Sequence, residues 1–304
     1  MRRNSTTSRP DTKISIALLR WYRKHGRSLP WRNAADPYRI LVSEVMLQQT
    51  QVSRVLIKYP EFLAKYPSLR RLAGARTSDV IRAWRGMGYN NRAIRLKLLA
   101  QTVVRDHRGK LPETIDALQK LPGIGRYTAH AIACFAFDQH VPIVDTNIVR
   151  VFARLFPTRG NSPRRTDKIW ALAESKLPRA NVHDWNQGLM DLGATICTVS
   201  KPRCEVCPLK LSCPSAHSGR RSIRRISRAE AGRNGIPNRI YRGKTIDVLR
   251  NLKRGGSMSP ASLARAVMSD YSAEDRPWFF TLLRALERDG LVRMRGRTKI
   301  SLAD

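Results

Sequence analysis

The stretch Leu121–Asp145, LPGIGRYTAHAIACFAFDQHVPIVD, decides the fold of the chain around it. Gly123 and Gly125 flank the apolar Ile124, so the backbone can turn tightly there and bring its amides close to another molecule. A helix from Arg126 to about Phe137 follows directly, and the amides and dipole at its N-terminus favour an anion. We therefore predict that this turn binds a phosphate group.

A glycine turn that opens onto a helix is typical of a helix-hairpin-helix, a motif that grips the DNA backbone without reading its sequence. A simple corner between two helices would show the same local pattern. Asp145, a carboxylate one helix and one short loop downstream, favours the functional interpretation. The residues predicted to contact the DNA backbone are Leu121, Gly123, Ile124, Gly125 and Arg126.

The charge balance indicates a polyanionic partner. The 304 residues include 57 Lys and Arg but only 23 Asp and Glu, which gives a formal net charge of +34. Contacts of Lys and Arg with phosphates supply most nonspecific nucleic-acid affinity. A basic tail such as RRSIRRISR at 220–228 is the alternative source of the charge, but the excess persists on either side of it.

The chain has no run of apolar residues near the ~20 that a membrane span needs, and its first residues lack the apolar core of a signal peptide. We expect a monomeric cytoplasmic protein, associated with the nucleoid, with no membrane contact. The length suggests about two domains. Residues 1–12 are expected to form a disordered basic arm.

The segment after Asp36-Pro37 reads as a helix, because the aspartate caps it and proline suits its first position. Glu44 is a lone acid among the Val, Met and Leu residues of this helix. It lies either on the solvated face or next to a pocket, and the sequence alone favours the solvated face.

Further helices are predicted at about 52–65, 78–86, 90–105, 114–120, 147–156, 165–177 and 184–195. Alternation typical of a strand is absent from the first 215 residues apart from Val141–Val144. These residues are therefore predicted to be all-α. The loop Gly86–Asn91 carries one aromatic residue, Tyr89, which either packs over a helix end or inserts between DNA bases.

Four cysteines, spaced C-x6-C-x2-C-x5-C, lie close together in the sequence. Such thiolates can converge on one metal centre, and tetrahedral zinc and an iron–sulfur cluster are both compatible with them. Disulfides are disfavoured in a reducing compartment. Cys134, in the middle of a helix, is expected to be a small buried apolar residue. The four candidate metal ligands are Cys197, Cys204, Cys207 and Cys213.

Several of these segments resemble the helix-hairpin-helix base-excision DNA glycosylases, most closely the adenine-DNA glycosylase (MutY) branch. The resemblance runs from about Leu29 to Cys213. The segments that carry it are PWR at 30–32, SEVMLQQTQV at 43–52, GMGY at 86–89, LPGIGRYTA at 121–129, VDTN at 144–147, NQGLMDLGATIC at 186–197 and the cysteine spacing. In that family the four cysteines hold a [4Fe-4S] cluster, which favours iron–sulfur over zinc.

The resemblance implies an all-α fold of two lobes with double-stranded DNA, containing a mismatch or lesion, bound between them and the target base flipped out. The iron–sulfur lobe would comprise residues 13–27 and 140–215. The six-helix lobe that carries the hairpin would comprise residues 28–139.

The family's chemistry, cleavage of an N-glycosidic bond, needs an acid for the leaving base and an anion for the cationic sugar. By resemblance Glu44 is the acid, with a pKa raised by burial, and Asp145 is the ionised carboxylate. Tyr127 and Asn147 match positions that hydrogen-bond around that carboxylate and the sugar. Gln48 or Gln49 would fill the space left by the flipped base.

Position 127 distinguishes branches of the family. Relatives that resemble endonuclease III carry a lysine there, which cleaves the strand through a Schiff base. Tyr127 therefore implies a monofunctional glycosylase. Thymine and uracil mismatch glycosylases share this tyrosine but tend to replace Gln48 and Gln49 by basic residues, so adenine is favoured and thymine or uracil opposite guanine remains an alternative.

After a basic linker at 216–235, helices are predicted at about 239–253, 260–268 and 275–289, and a β-hairpin at Leu291–Leu302 around Gly296. Residues 236–304 thus resemble a small α+β winged helix. They stand where many adenine glycosylases carry a domain that reads 8-oxoguanine. Binding of DNA, binding of a protein, and packing on the catalytic core are equally compatible roles.

Two classes of function agree with these features. A non-catalytic iron–sulfur regulator that binds DNA would explain the hairpin, the cysteines and the charge. Only a glycosylase gives a joint purpose to Glu44, Tyr127, Asp145 and Asn147, and we favour the enzyme.

Overall fold

The computed structural model describes residues 12–34, 36–157, 165–217, 230–296 and 298–304. The predicted basic arm, apart from Thr12, and residues 218–229 of the predicted linker lie outside this part of the chain.

The first part of the chain is helical. Its helices are α1 (Thr12–His25), α2 (Pro37–Leu47), α3 (Val52–Lys65), α4 (Leu69–Ala73), α5 (Thr77–Ala83), α6 (Asn91–Asp106), α7 (Ile115–Gln119), α8 (Arg126–Phe137), α9 (Thr146–Leu155), α10 (Arg165–Ser175), α11 (Val182–Thr195) and α12 (Pro214–His217). Within the described residues, no strand precedes Gly232. The all-α prediction for this region is confirmed, and Val141–Val144 is not a strand.

The remaining elements are β1 (Gly232–Arg233), β2 (Ile236–Pro237), α13 (Asn238–Asn251), α14 (Pro260–Val267), α15 (Arg276–Arg288), β3 (Val292–Arg295) and β4 (Lys299–Leu302). β3 and β4 form the predicted antiparallel hairpin, in which Arg293 lies opposite Ser301 and Arg295 opposite Lys299. The backbone of Met258 also bridges to Ile300. Three helices and this small sheet give the α+β segment the arrangement of a winged helix.

Within the described residues, the short helices α4 and α12 and the strand pair β1–β2 were not predicted. α4 has only five residues, too few for an apolar period, and begins where the Ser68 hydroxyl accepts a hydrogen bond from the Arg71 amide at 3.3 Å. β1 and β2 are joined by Asn234 and Gly235, which both have positive φ. Asn-Gly is the strongest short-range signal for such a turn, so the sequence did contain the information.

The chain folds into two compact units. The first comprises Met1–Ile40, Glu113–Asp116 and Gly125–Ile226, and the second comprises Leu41–Pro112, Ala117–Ile124 and Ser227–Asp304. The segment boundaries predicted from the sequence remain a prediction. Among the described helices, none is long and apolar enough to cross a membrane.

The core of the first unit forms where α1, α9 and α11 meet. Leu18, Ile148, Phe152 and Leu189 are among its buried side chains. Gly193 lets α11 and α9 approach each other closely, because a Cβ at that position would lie 2.6 Å from the Cβ of Asn147 on α9. The packing of these helices thereby sets the position of Asn147.

A buried carboxylate on α11 binds the segment that follows α1. Asp191 is 1% exposed and accepts hydrogen bonds from the Arg27 amide at 2.9 Å, from Arg27 Nε at 2.6 Å, and from both terminal nitrogens of Arg32 at 2.8 and 2.7 Å. Burial alone would raise the pKa of Asp191, but these hydrogen bonds from Arg32 and Arg27 hold it below the ordinary value.

The second unit has a core that joins the winged helix to α5 and α6. Ile81 of α5 and Ile94 of α6 pack in one cluster with Ile246, Phe279 and Leu283 of the winged helix. The winged helix is therefore part of this unit's core.

We expect Asp191→Asn to lower the free energy of unfolding by about 3 kcal/mol at neutral pH, because it breaks a buried ion pair. The folded pKa of Asp191 is depressed, so its contribution is complete above the unfolded pKa of about 3.8 and is lost as the pH falls through the folded pKa. Urea unfolding over a pH series measures both effects. Asp106→Asn, which removes an exposed ion pair, is the control and should change stability far less. Equal losses in both variants would contradict the role assigned to Asp191.

Candidate functional site

Asp145 is the N-cap of α9. Its Oδ1 accepts a hydrogen bond from the Ile148 amide at 2.6 Å, and its Oδ2 accepts one from Asn147 Nδ2 at 2.8 Å. Its backbone is extended, as expected for an N-cap. Both carboxylate oxygens are thus held in a fixed orientation at the positive end of a ten-residue helix.

Asn147 is itself held in place. Its Oδ1 accepts a hydrogen bond from Arg150 Nη2 at 2.8 Å, and the same nitrogen donates to the Gly193 carbonyl at 2.7 Å. Arg150 Nε donates to the carbonyl of Cys197 at 2.7 Å. Arg150 and Gly193 were not singled out from the sequence, although Gly193 lies in the quoted segment 186–197 and Arg150 lies three residues after the segment 144–147.

The pKa of Asp145 is raised above the ordinary value. Burial is the main cause, and the hydrogen bonds from Ile148 and Asn147 oppose it. Burial therefore destabilises the charged form of Asp145, and the N–H groups that point at the carboxylate partly stabilise it.

Tyr127, on the first turn of α8, is half-buried and packs against the core of the first unit. Its neighbour Arg126 lies over the ring of Trp170, 4.1 Å from the centroid, and contacts Asp167 at 3.4 Å. Tyr127, Asp145 and Asn147 all belong to the first unit.

The two glycines of the hairpin differ in backbone conformation. Gly123 has φ of +80°, which disfavours a side chain, whereas Gly125 has an ordinary extended backbone. In the part of the chain that the structure describes, no atom beyond Gly125 and its two chain neighbours would lie within 4 Å of a Cβ on Gly125. Leu121 and Ile124 are buried, and the Ile124 amide donates to the Leu121 carbonyl at 3.2 Å. Their side chains anchor the turn.

Glu44 belongs to the second unit and is only 4% exposed. The preference for the solvated face, drawn from the sequence alone, is wrong. The helix that carries it is buried over most of its surface, since Leu41, Val42, Val45 and Met46 are also buried. Burial of a carboxyl group is unfavourable unless other interactions compensate for its lost hydration.

Two loops of the second unit carry residues in the left-handed backbone conformation. The turn after α2 contains Gln49 with φ of +55°. The loop Gly86–Asn91, called the glycine loop below, contains Tyr89 with φ of +41°. Gln49 and Tyr89 are exposed, and Gln48 is half-buried. Positive φ is unusual for a bulky residue and is typical of functional loops.

Arg92 joins these two loops. Its guanidinium, buried on α6, donates to the carbonyls of Val45 and Met46 at 2.8 and 2.9 Å and to the Thr50 hydroxyl at 2.9 Å. It also donates to the carbonyls of Met87 and Gly88 at 2.9 and 3.2 Å. Burial lowers the pKa of Arg92 to about 10.

The winged helix contributes a second arginine to the glycine loop. Arg250 of α13 is 5% exposed and donates to the Asn90 side chain at 2.8 Å and to the Ile81 carbonyl at 2.9 Å. Its remaining terminal nitrogen pairs with Asp247 at 2.6 Å. Asn90 follows Tyr89 directly, so α13 supports the loop that presents the tyrosine.

The four predicted metal ligands, Cys197, Cys204, Cys207 and Cys213, line one cavity. Arg154 Nη1 lies at the wall of this cavity and donates to Cys197 Sγ at 3.2 Å, which suits a thiolate. Among the described residues, no three His, Cys, Asp or Glu side chains are close enough to hold a single metal ion. Four thiols around one cavity are a donor set that suits an iron–sulfur cluster and tetrahedral zinc alike.

Comparison with known proteins agrees with this geometry. Residues 42–174 match the HhH-GPD superfamily base excision DNA repair protein family. The chain is 40% identical over 282 residues to the adenine DNA glycosylase of Mycobacterium tuberculosis (strain CDC 1551 / Oshkosh), across 90% of this chain and 88% of that protein. It is 37% identical over 293 residues to the adenine DNA glycosylase of Mycolicibacterium smegmatis, across 95% of each. The structure of a thermostable thymine-DNA glycosylase matches with a TM-score of 0.64 and 34% identity, across 68% of this chain and 97% of that one.

We expect Arg92→Lys to loosen the glycine loop while the rest of the second unit stays folded. A lysine ammonium has three donors and cannot reach the five acceptors that the guanidinium spans. Amide hydrogen exchange in residues 86–91 should accelerate about tenfold or more, measured by mass spectrometry of the peptide that contains them. Arg105→Lys, on the exposed end of the same helix, is the control. Unchanged exchange in residues 86–91 would show that Arg92 does not hold the loop.

Proposed function

The chain belongs to the adenine DNA glycosylase family of helix-hairpin-helix base-excision repair proteins, and from this premise we propose that it is a monofunctional DNA glycosylase that removes adenine mispaired with guanine or 8-oxoguanine. Its partner is duplex DNA, which it binds as a monomer. The observation that carries the proposal is the carboxylate of Asp145, held by two directed hydrogen bonds at the start of α9.

Hydrolysis of an N-glycosidic bond leaves positive charge on the sugar as the base departs. A fixed anion stabilises that charge more than it stabilises the neutral substrate, which is the condition for catalysis. Asp145 has this role. Its oxygens accept hydrogen bonds from Ile148 and Asn147, which fix the orientation of the carboxylate. Asn147, fixed by Arg150, orients the carboxylate.

The departing adenine needs a proton, because its anion is a poor leaving group. Glu44 supplies it. Its burial supports this assignment, since an apolar environment disfavours the charged form of a carboxyl group and suits it to carry a proton. Water then attacks the sugar, and the product is an abasic site with its strand intact.

Tyr127 supports the monofunctional assignment. A lysine amine at this position would attack the sugar and form a Schiff base that leads to strand cleavage. A phenol has no such route, and Tyr127 is packed against the core as a positioning residue for the carboxylate and the sugar.

Two exposed residues with unusual backbone conformations are the basis for the DNA contacts that we propose. Gln49 and Tyr89 both project from loops with positive φ that Arg92 fastens. We assign Tyr89 to insertion between bases and Gln48 or Gln49 to the gap left by the flipped adenine. Backbone amides of the hairpin at Gly123, Gly125 and Arg126 contact a phosphate, and the open space around Gly125 supports a close approach.

A [4Fe-4S] cluster is held by Cys197, Cys204, Cys207 and Cys213. The common cavity of the four thiols and the hydrogen bond from Arg154 support this assignment. When bound, the cluster supplies four strong metal–sulfur bonds that order the loop after α11. Arg154 also donates to the carbonyls of Thr198 and Val199, so the same loop is tied to α9.

The decisive experiment is a panel of duplexes with one mismatch or lesion each, scored for abasic sites after alkali treatment. We expect release of adenine opposite guanine and 8-oxoguanine, with no cut strand before alkali. Asp145→Asn should slow release by at least about 10²-fold with little loss of DNA binding, because asparagine still caps the helix but lacks the charge. The rate should fall as the pH drops through the pKa of Asp145, which lies above 3.8.

Asp138→Asn is the matched control for that experiment, since it removes the same charge at the end of α8 in a left-handed position that asparagine tolerates. Its release rate should equal that of the unchanged protein. Release of thymine or uracil opposite guanine, with adenine untouched, would contradict the substrate. Full adenine release by Asp145→Asn would contradict the mechanism.

We expect the purified protein to be brown and to contain about four irons per chain. Cys213→Ser should lose most of this iron, measured by elemental analysis and by visible absorbance. Cys134→Ser is the control, because Cys134 is buried in the core with Asn186 as its hydrogen-bond donor. A colourless protein with stoichiometric zinc would contradict the cluster.

A further inference from the structure

The winged helix carries a basic surface that the proposed catalytic site does not use. We call it the wing surface. It consists of exposed cations on α14, on α15 and on the hairpin β3–β4, namely Arg265, Arg276, Arg284, Arg288, Arg293, Arg295 and Lys299.

The packing of each element turns these cations outwards. α15 buries Phe279, Leu282, Leu283 and Leu286 in the core of the second unit, so its arginines lie on the solvent side. In the hairpin, Val292 and Ile300 are buried. The alternation of side chains along the strands places the exposed cations on the other face of the hairpin.

A cavity shows that the helices and the hairpin turn are neighbours. Arg265, Arg276 and Thr298 all line this cavity of about 570 Å³. The first turn of α15 and the tip of the hairpin therefore lie beside each other. In helix-turn-helix proteins, the N-terminal residues of the recognition helix meet the duplex.

The ion pairs of this segment distinguish the wing surface from its other arginines. None of the seven forms an ion pair with any residue in the described ranges, whereas other arginines of the same segment do. Arg233 pairs with Asp270 and Asp275, and Arg254 pairs with Asp79. The paired arginines serve the fold, and the wing surface keeps an uncompensated positive potential.

We propose that the wing surface is a second DNA-contact surface, which binds the phosphate backbone of the duplex that carries the target base. The choice of duplex DNA as the occupant rests on the proposed function. The chemistry of the surface agrees with it, since arginines on a helix and on a two-stranded ribbon are suited to phosphate contacts along a groove. These contacts add affinity without reading sequence.

The test is the salt dependence of binding to an undamaged duplex of about 30 base pairs, measured by fluorescence anisotropy. Each phosphate contact contributes about −0.9 to the slope of log K against log salt concentration. Arg276→Gln together with Arg284→Gln should therefore make the slope less steep by about 1.8. Arg105→Gln together with Arg254→Gln is the matched control, because it removes two exposed cations that are ion-paired within the chain. Its slope should stay nearly constant.

An unchanged slope in the Arg276 and Arg284 variant would overturn the proposal, and so would an equal loss of steepness in the control, which would indicate only the effect of total charge. The binding assay uses no catalysis. A protein that releases no base but shows the selective loss of steepness would refute the proposed function and support the wing surface.

Discussion

Buried guanidinium groups hold the loops of this protein in place. Arg92, Arg150, Arg154 and Arg250 are each at most 9% exposed. A buried cation whose N–H groups lack acceptors is strongly destabilising, because it has lost its hydration without gaining hydrogen bonds. In a chain with 57 basic and only 23 acidic residues, the acceptors are mainly backbone carbonyls and side-chain amides. Carbonyls that helices leave unsatisfied at their ends and in loops are thereby used to fix those loops.

The features that could be predicted from the sequence depend on residues close together in the chain. The start of α9 directly after Asp145 is determined within three residues, and the glycine turn of the hairpin within five. The hairpin of the winged helix follows from alternation over twelve residues around Gly296. Helix ends near glycine, proline or a capping side chain were likewise predicted to within a few residues.

The features that could not be predicted depend on distant parts of the chain. The burial of Glu44 requires that neighbouring elements cover nearly all of α2, which no periodicity within α2 reveals. The acceptors of Arg92 lie up to 47 residues away, and Arg150 reaches a carbonyl 47 residues further along. A basic residue on a helix of such a cationic protein is most simply read as solvated. Only the folded backbone shows which arginines are buried.

The glycine loop and the turn after α2 each contain a residue in an energetically unfavourable backbone conformation. Tyr89 and Gln49 occupy a backbone region that costs an L-residue roughly 1–2 kcal/mol and that glycine adopts without penalty. Replacing either by glycine would relieve that strain and remove the side chain. A laboratory selection for heat resistance alone would therefore tend to erase these two side chains, and selection for both heat resistance and DNA repair would have to find its gains elsewhere in the chain.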